Sequence, residues 1–150
     1  MDEADEVSLG KAGWVQYADN ARRVSLCRYF WPAEKPKGVV VLVHGHAAHV
    51  CFDFLRVTVA ASHSNFRATS HVTSCVMFQR PGEAQAYDGS FVEAANKEGL
   101  SVCGIDFQGH GRSSSIRNTR CFIDQFQDYV DDVHDFVKWD AAVQLWRASI

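Results

Sequence analysis

No apolar run in this 150-residue chain approaches the roughly 18 residues of a membrane-spanning helix. The first residues, Met1 to Glu6, are acidic where a secretory signal is basic and then apolar. The expectation is a cytoplasmic protein with no transmembrane segment, for which a peripheral membrane contact stays open. An excess of positive charge is missing as well. At a net charge of −3 the chain offers no basic surface to neutralise a run of phosphates, which argues against nucleic acid as a partner. Nor is there a C-x-x-C pair. The five cysteines, Cys27, Cys51, Cys75, Cys103 and Cys121, are odd in number and far apart, unlike a disulfide framework or a zinc ribbon. They read as reduced, mostly buried thiols.

What is present is the balance of a small globular domain, 47% hydrophobic and 22% charged. Residues 1–12 form an acidic stretch without periodicity, expected to be a mobile leader, and the domain is expected to occupy 13–150. Trp14 to Ala18 and Arg22 to Trp31 alternate apolar with polar residues around Asp19-Asn20, a pair that tolerates positive φ. This predicts an antiparallel hairpin. After the connector Pro32 to Lys37, Gly38 opens the β-branched run Val39-Val40-Val41-Leu42-Val43, the pattern of a strand buried on both faces in a parallel sheet. It ends at His44-Gly45-His46-Ala47-Ala48-His49.

Asp88 to Glu98 carries Phe91, Val92, Ala94 and Ala95 at helical spacing, with Gly99 as a stop. Leu100 to Phe107 reads as a second buried strand, which would close a right-handed βαβ unit. Gln108 to Arg120 is a Gly- and Ser-rich loop. Asp124 and Gln127 have the spacing of a capping box, and Phe126, Tyr129, Val130, Val133, Phe136 and Val137 follow as an apolar stripe to about Trp139. On that helix Asp128, Asp131, Asp132 and Asp135 are expected to form the solvent face. The fold class is therefore α/β, a hairpin plus a βαβα unit of a mostly parallel sheet. Residues 57–79, rich in Ser, Thr and His, fit neither period and read as an insertion, either a lid or a translated intron.

Two pieces of the chain resemble the α/β-hydrolase superfamily, in the branch of monoacylglycerol lipases, lysophospholipases and serine aminopeptidase-like hydrolases. One is Val39 to His46. The other is Gly104-Ile-Asp-Phe-Gln-Gly-His-Gly-Arg-Ser113 with Phe126 to Val133 behind it. The resemblance implies the N-terminal half of that fold, and an acyl ester or lipid, or a related amide, as substrate. It also implies an oxyanion loop at His44, Gly45 and His46, with the backbone amide of His46 as one donor to the oxygen that becomes negative during acyl transfer. Asp106, Gly109, His110, Gly111, Arg112 and Ser113 are expected to be a structural loop near the site. Gly111 to Ser115 only superficially resembles a nucleophile elbow, because Ser113 has loop on both sides.

The departure from the family is that no Gly-x-Ser-x-Gly occurs, and the Ser, acid, His order of this fold places all three downstream. No catalytic nucleophile, acid or base is assigned within the chain, and an incomplete, inactive portion of an esterase-like enzyme is expected. A non-catalytic relative that binds a partner or an acyl ligand is the alternative. His44, His46 and His49 also permit a zinc reading, but the resemblance accounts for His-Gly without a metal. No metal and no cofactor is expected.

Overall fold

A computed structural model describes residues 13–45, 50 and 87–138. The expected leader, the 57–79 insertion, His46, His49, Cys51 and Cys75 lie outside the described residues. The hairpin forms as its alternation predicts: β1 (Trp14–Asp19) pairs antiparallel with β2 (Ser25–Trp31), from Trp14 opposite Phe30 to Asp19 opposite Ser25. Its turn works differently from expectation. Asp19 still belongs to the ladder, and the positive φ falls on Arg23 at 60°. Asn20 contributes through its side chain, whose Oδ1 accepts the Arg22 and Val24 amides at 3.0 and 2.9 Å. The loop is thus an Asx-type turn, held by a side-chain acceptor in place of left-handed backbone at Asp19-Asn20.

β3 (Gly38–Val43), α1 (Phe91–Lys97) and β4 (Leu100–Ile105) follow, and β3 and β4 are parallel neighbours, from Gly38 opposite Leu100 to Val43 opposite Ile105. The sheet order is β1-β2-β4-β3. β2 pairs antiparallel with β4, so the four described strands make a mixed sheet with one parallel pairing, not a mostly parallel one. β3 lies at its edge. Val39 and Val43 are exposed there, which corrects the expectation of a strand buried on both faces. The strands buried on both sides are β2, flanked by β1 and β4, and β4, flanked by β2 and β3, the latter as expected for the second buried strand.

Side-chain alternation gives the sheet two apolar faces. Cys27, Tyr29, Trp31 and Val102 face α1 with Val92 and Ala95, while Leu26, Phe30, Cys103 and Ile105 face α2 (Gln127–Phe136) with Phe136. α1 begins three residues later than its periodicity suggests, because Gly89 turns at φ 77° and Ser90 then caps the helix. Ser90 Oγ accepts the Glu93 amide at 3.2 Å and Glu93 reaches back to the Gly89 amide at 2.7 Å. Asn96 fastens α1 to the sheet, donating to the Trp31 and Leu100 carbonyls at 3.0 and 2.9 Å.

α2 corrects two expectations. Asp124 is not its cap: Phe126 holds that position without a side-chain bond, and Asp124 lies 3.5 Å from Arg117 instead. The helix is also rotated relative to its apolar stripe. Asp128 and Asp132 are buried with Tyr129 and Phe136, while Phe126, Val130 and Val137 are exposed. Arg22, from the hairpin turn, is the reason. Its Nη2 donates to Asp132 Oδ1 at 2.7 Å and its Nη1 lies 3.4 Å from Asp128 Oδ1. Asn20 Nδ2 adds a bond to Asp132 Oδ1 at 3.0 Å.

Candidate active site

Because β3 and β4 run parallel side by side, the chain leaves both strands at the same end of the sheet. The turn after β3 and the loop after β4 meet there, and open α/β sheets bind ligands outside such carboxyl ends. His44 is buried, and its Nε2 accepts the Phe107 amide at 3.0 Å. An acceptor at Nε2 requires the proton on Nδ1, which lies 2.7 Å from the Gly45 carbonyl. The imidazole is therefore neutral and already committed at both nitrogens, an arrangement for holding the turn and not for shuttling protons. Gly45 is exposed, with open space where a Cβ would stand. His46, the expected amide donor, lies outside the described residues.

The loop after β4 is organised around Asp106, a carboxylate with no exposed surface. Its Oδ1 accepts the Val50 amide at 2.8 Å, and its Oδ2 accepts the Tyr29 hydroxyl at 2.7 Å and the Arg112 amide at 3.0 Å. Three donors on one carboxylate compensate a burial that would otherwise cost several kcal/mol. Ser113 Oγ donates to the Asp106 carbonyl at 2.6 Å and accepts the Cys27 amide at 2.8 Å. With both roles of its hydroxyl in use and little exposed surface, Ser113 is a cross-tie between loop and hairpin. Gly109 adopts φ 75°, and a Cβ there would stand 3.0 Å from the Cys121 amide nitrogen. Gly111 is likewise left-handed, at φ 46°. Arg120 donates to the Gly111 carbonyl at 2.9 Å, closing the loop from outside.

His110 is buried, and its Nδ1 donates to the Gln108 carbonyl at 3.0 Å. Its ring sits 5.1 Å from that of His44 and 5.9 Å from that of Tyr129, while Phe107 stacks on Tyr129 at 4.4 Å. An aromatic cluster thus joins both strand-end loops to α2. The Gln108 amide is fully buried and, like the Tyr129 hydroxyl, has no hydrogen-bond partner among the described residues. Burial pushes the Cys27 thiol up to about 11 and the Cys103 thiol up to about 12, so neither supplies a thiolate near neutral pH.

The structure therefore brings together His44, Asp106, His110 and Ser113 and sets Gly45 at their rim. The sequence did not single out Val50, Tyr29, Gln108 or Tyr129. One available signal was Asp106 itself: a carboxylate directly following an apolar strand is buried by its position and must recruit donors from neighbouring segments.

No curated protein matches the chain. The family model described as serine aminopeptidase, S33, matches residues 71–147, a stretch that holds α1, β4, the Asp106–Ser113 loop and α2. It begins within the anomalous 57–79 stretch and does not reach the His44-Gly45-His46 turn. Spanning just over half of the 150 residues, it shows that the chain belongs to the serine aminopeptidase S33 family of the α/β-hydrolase superfamily.

Proposed function

We propose that this chain forms the oxyanion side of a serine hydrolase acting on carboxylic esters of the monoacylglycerol or lysophospholipid kind, or on related amides. The observation that carries this reading is the pairing of β3 and β4 in parallel, with the His44-Gly45 turn and the Asp106–Ser113 loop locked together at one end. For a reacting carbonyl at that end, the resemblance assigns the oxyanion donor to the backbone amide of His46. One such donor is worth about 3 kcal/mol of transition-state stabilisation.

Ser113 is not the nucleophile in this reading, because its hydroxyl already holds loop to hairpin. No Gly-x-Ser-x-Gly occurs in these 150 residues, and in this reading no attacking serine, acid or base is assigned among them.

The test is labelling by a fluorophosphonate, which reacts with activated serines. The 150-residue chain should stay unlabelled. A longer chain that continues the reading frame through a Gly-x-Ser-x-Gly should be labelled at that serine and should hydrolyse a medium-chain monoacylglycerol faster than an aminoacyl amide. A label at Ser113 would overturn the assignment. If the frame closes without a Gly-x-Ser-x-Gly, the non-catalytic alternative takes its place.

A further inference from the structure

Between the hairpin turn and α2 lies a cavity of about 270 Å³, lined by none of the described residues of the strand-end loops. Leu26, Arg28 and Asp132 are its buried floor, and Asp19, Ala21 and Asp135 its exposed mouth. Asp132 is 2% exposed and its two oxygens are unequally used. Oδ1 accepts from both Arg22 and Asn20, while Oδ2 is buried with no hydrogen-bond partner among the described residues. A buried carboxylate oxygen left without a donor costs free energy, which a donor on a ligand recovers.

Charge at the cavity is unbalanced too. Three lining carboxylates, Asp19, Asp132 and Asp135, against one lining guanidinium, Arg28, leave two negative charges in excess. Arg22 and Asp128, paired behind them, add nothing to that sum. The excess is also spread out. Among the described residues no three His, Cys, Asp or Glu side chains come together as metal ligands, so the carboxylates do not converge on one compact ion. Two positive charges held apart by a chain match them better, and Leu26 and Ala21 give that chain apolar surface.

We propose that this cavity binds a short aliphatic diamine, one ammonium against Asp132 Oδ2 at the floor and the other between Asp19 and Asp135 at the mouth. An alkylammonium carries three N–H donors and no acceptor, the complement of an unfilled carboxylate oxygen. The volume falls below the roughly 300–1,000 Å³ of sites for drug-sized ligands, which suits a molecule of few atoms. Bound there, the diamine ties the hairpin turn to α2, the two elements that Arg22 and Asn20 already join. Nothing in this depends on the oxyanion turn.

The experiment titrates the full 150-residue chain with 1,4-diaminobutane at about 150 mM NaCl, where a Debye length of about 8 Å screens attraction to the surface at large. Calorimetry reads the affinity, and thermal unfolding reads the rise in midpoint that binding to the native state alone produces. Saturable binding at one site is expected, with 1-aminobutane and Mg²⁺ each weaker by about tenfold or more. Asp132→Asn should lose most of the binding. Should that variant fail to fold, Asp135→Asn decides, since Asp135 is exposed and its change removes no core group. It should weaken binding about tenfold, the equivalent of about 1.4 kcal/mol. Asp131→Asn removes the same charge from an exposed position of α2 that does not line the cavity, and should bind as the natural chain does.

Binding that 1-aminobutane or Mg²⁺ matches, or that Asp131→Asn weakens as much as Asp135→Asn, would be general attraction of cations to an acidic chain and would overturn the proposal. So would a midpoint that the diamine leaves unmoved. If Nα-acetyl-lysine amide binds as tightly as the diamine, the cavity takes a lysine side chain from a protein partner, and the diamine assignment falls.

Discussion

The two described helices pack on opposite faces of one sheet and are held by different forces. α1 is short, buries Val92 and Ala95, and is framed by a Ser90 cap with a Glu93 counter-bond and an Asn96 cross-tie. α2 is longer and has the stronger amphipathic pattern in sequence. Yet it buries two carboxylates, Asp128 and Asp132, and exposes Phe126, Val130 and Val137. Apolar periodicity establishes that a helix forms. Which side turns inward depends on what the opposing surface offers, and here the hairpin turn offers Arg22 and Asn20.

If α2 is nonetheless anchored by its one deep aromatic, the largest effect should come from Phe136, which is fully buried against Phe30 at 6.1 Å between ring centroids. Phe136→Ala should cost about 3–5 kcal/mol in urea unfolding. Val92→Ala on the α1 face should cost about 2 kcal/mol, in keeping with its smaller side chain. A reversed order would mean that the α1 face carries more of the stability.

The ion pair comes next. Removing a partner from a buried pair costs about 3–5 kcal/mol, but the Arg22 side chain is 25% exposed and recovers part of its hydration. Asp132→Ala should therefore lose about 2 kcal/mol. The double variant Arg22→Met, Asp132→Leu should recover most of it, since an apolar pair of similar volume needs no desolvation. If the double variant is as unstable as the single, the cluster does more than match charges.

Asp132 also predicts a pH dependence. Burial raises its pKa above the ordinary 3.8, outweighing Arg22 and Asn20, which favour the ionised form. Its Oδ2 is buried with no hydrogen-bond partner among the described residues, consistent with that direction. A raised folded-state pKa means that the native state holds the proton more tightly than the unfolded chain does. The stabilising contribution is complete below 3.8 and is lost as pH rises through the folded-state value. Relative to Asp132→Asn, which does not titrate, the natural chain should gain stability as pH is lowered from about 7 towards 4. A flat difference between the two unfolding curves would remove Asp132 as the source.

A smaller effect separates the two helix starts. Ser90→Ala should cost about 1 kcal/mol, and Asp124→Ala close to nothing, when thermal unfolding of the two is compared. Both positions lie three residues before a Glu or Gln, Glu93 and Gln127, so spacing alone does not tell a working cap from an idle one. At Ser90 the preceding Gly89 bends the chain at φ 77° and lets Ser90 take the extended backbone a cap needs. Behind Asp124 the chain passes through Gln125 and a helical Phe126, and Gln127 bonds instead to Asp131 at 2.8 Å.

That contrast marks how far the sequence could be read. The hairpin and the existence of both helices follow from periods of two and 3.6, and both later strands from short apolar runs, because those patterns are local. So does the meeting of the two strand-end loops, once β3 and β4 are taken as neighbours. The grip of Asp106 on Val50 spans 56 residues, and that of Arg22 on Asp132 spans 110. No pattern within a helical turn encodes either. The exposure of Val39 and Val43 on β3 was hidden for a similar reason. An unbroken Val-Val-Val-Leu-Val run describes a strand able to be covered on both faces, but coverage is supplied by other segments.

The smallest predicted effect tests the rotation of α2 most directly. If α2 sat as its stripe suggests, Phe126 would be buried and its loss would cost several kcal/mol. In the structure the ring is 74% exposed and meets Tyr129 edge-on at 6.4 Å. Phe126→Ser should then shift stability by no more than about 0.5 kcal/mol. Phe136→Ser in the same background should be severely destabilising, for it places a hydroxyl where an aromatic core contact was. Urea midpoints of the two variants should lie far apart if α2 is rotated and close together if it is not, because Phe126 and Phe136 belong to the same apolar stripe in sequence, while the Arg22 clamp and the Phe30 contact set Phe136 inward and leave Phe126 exposed.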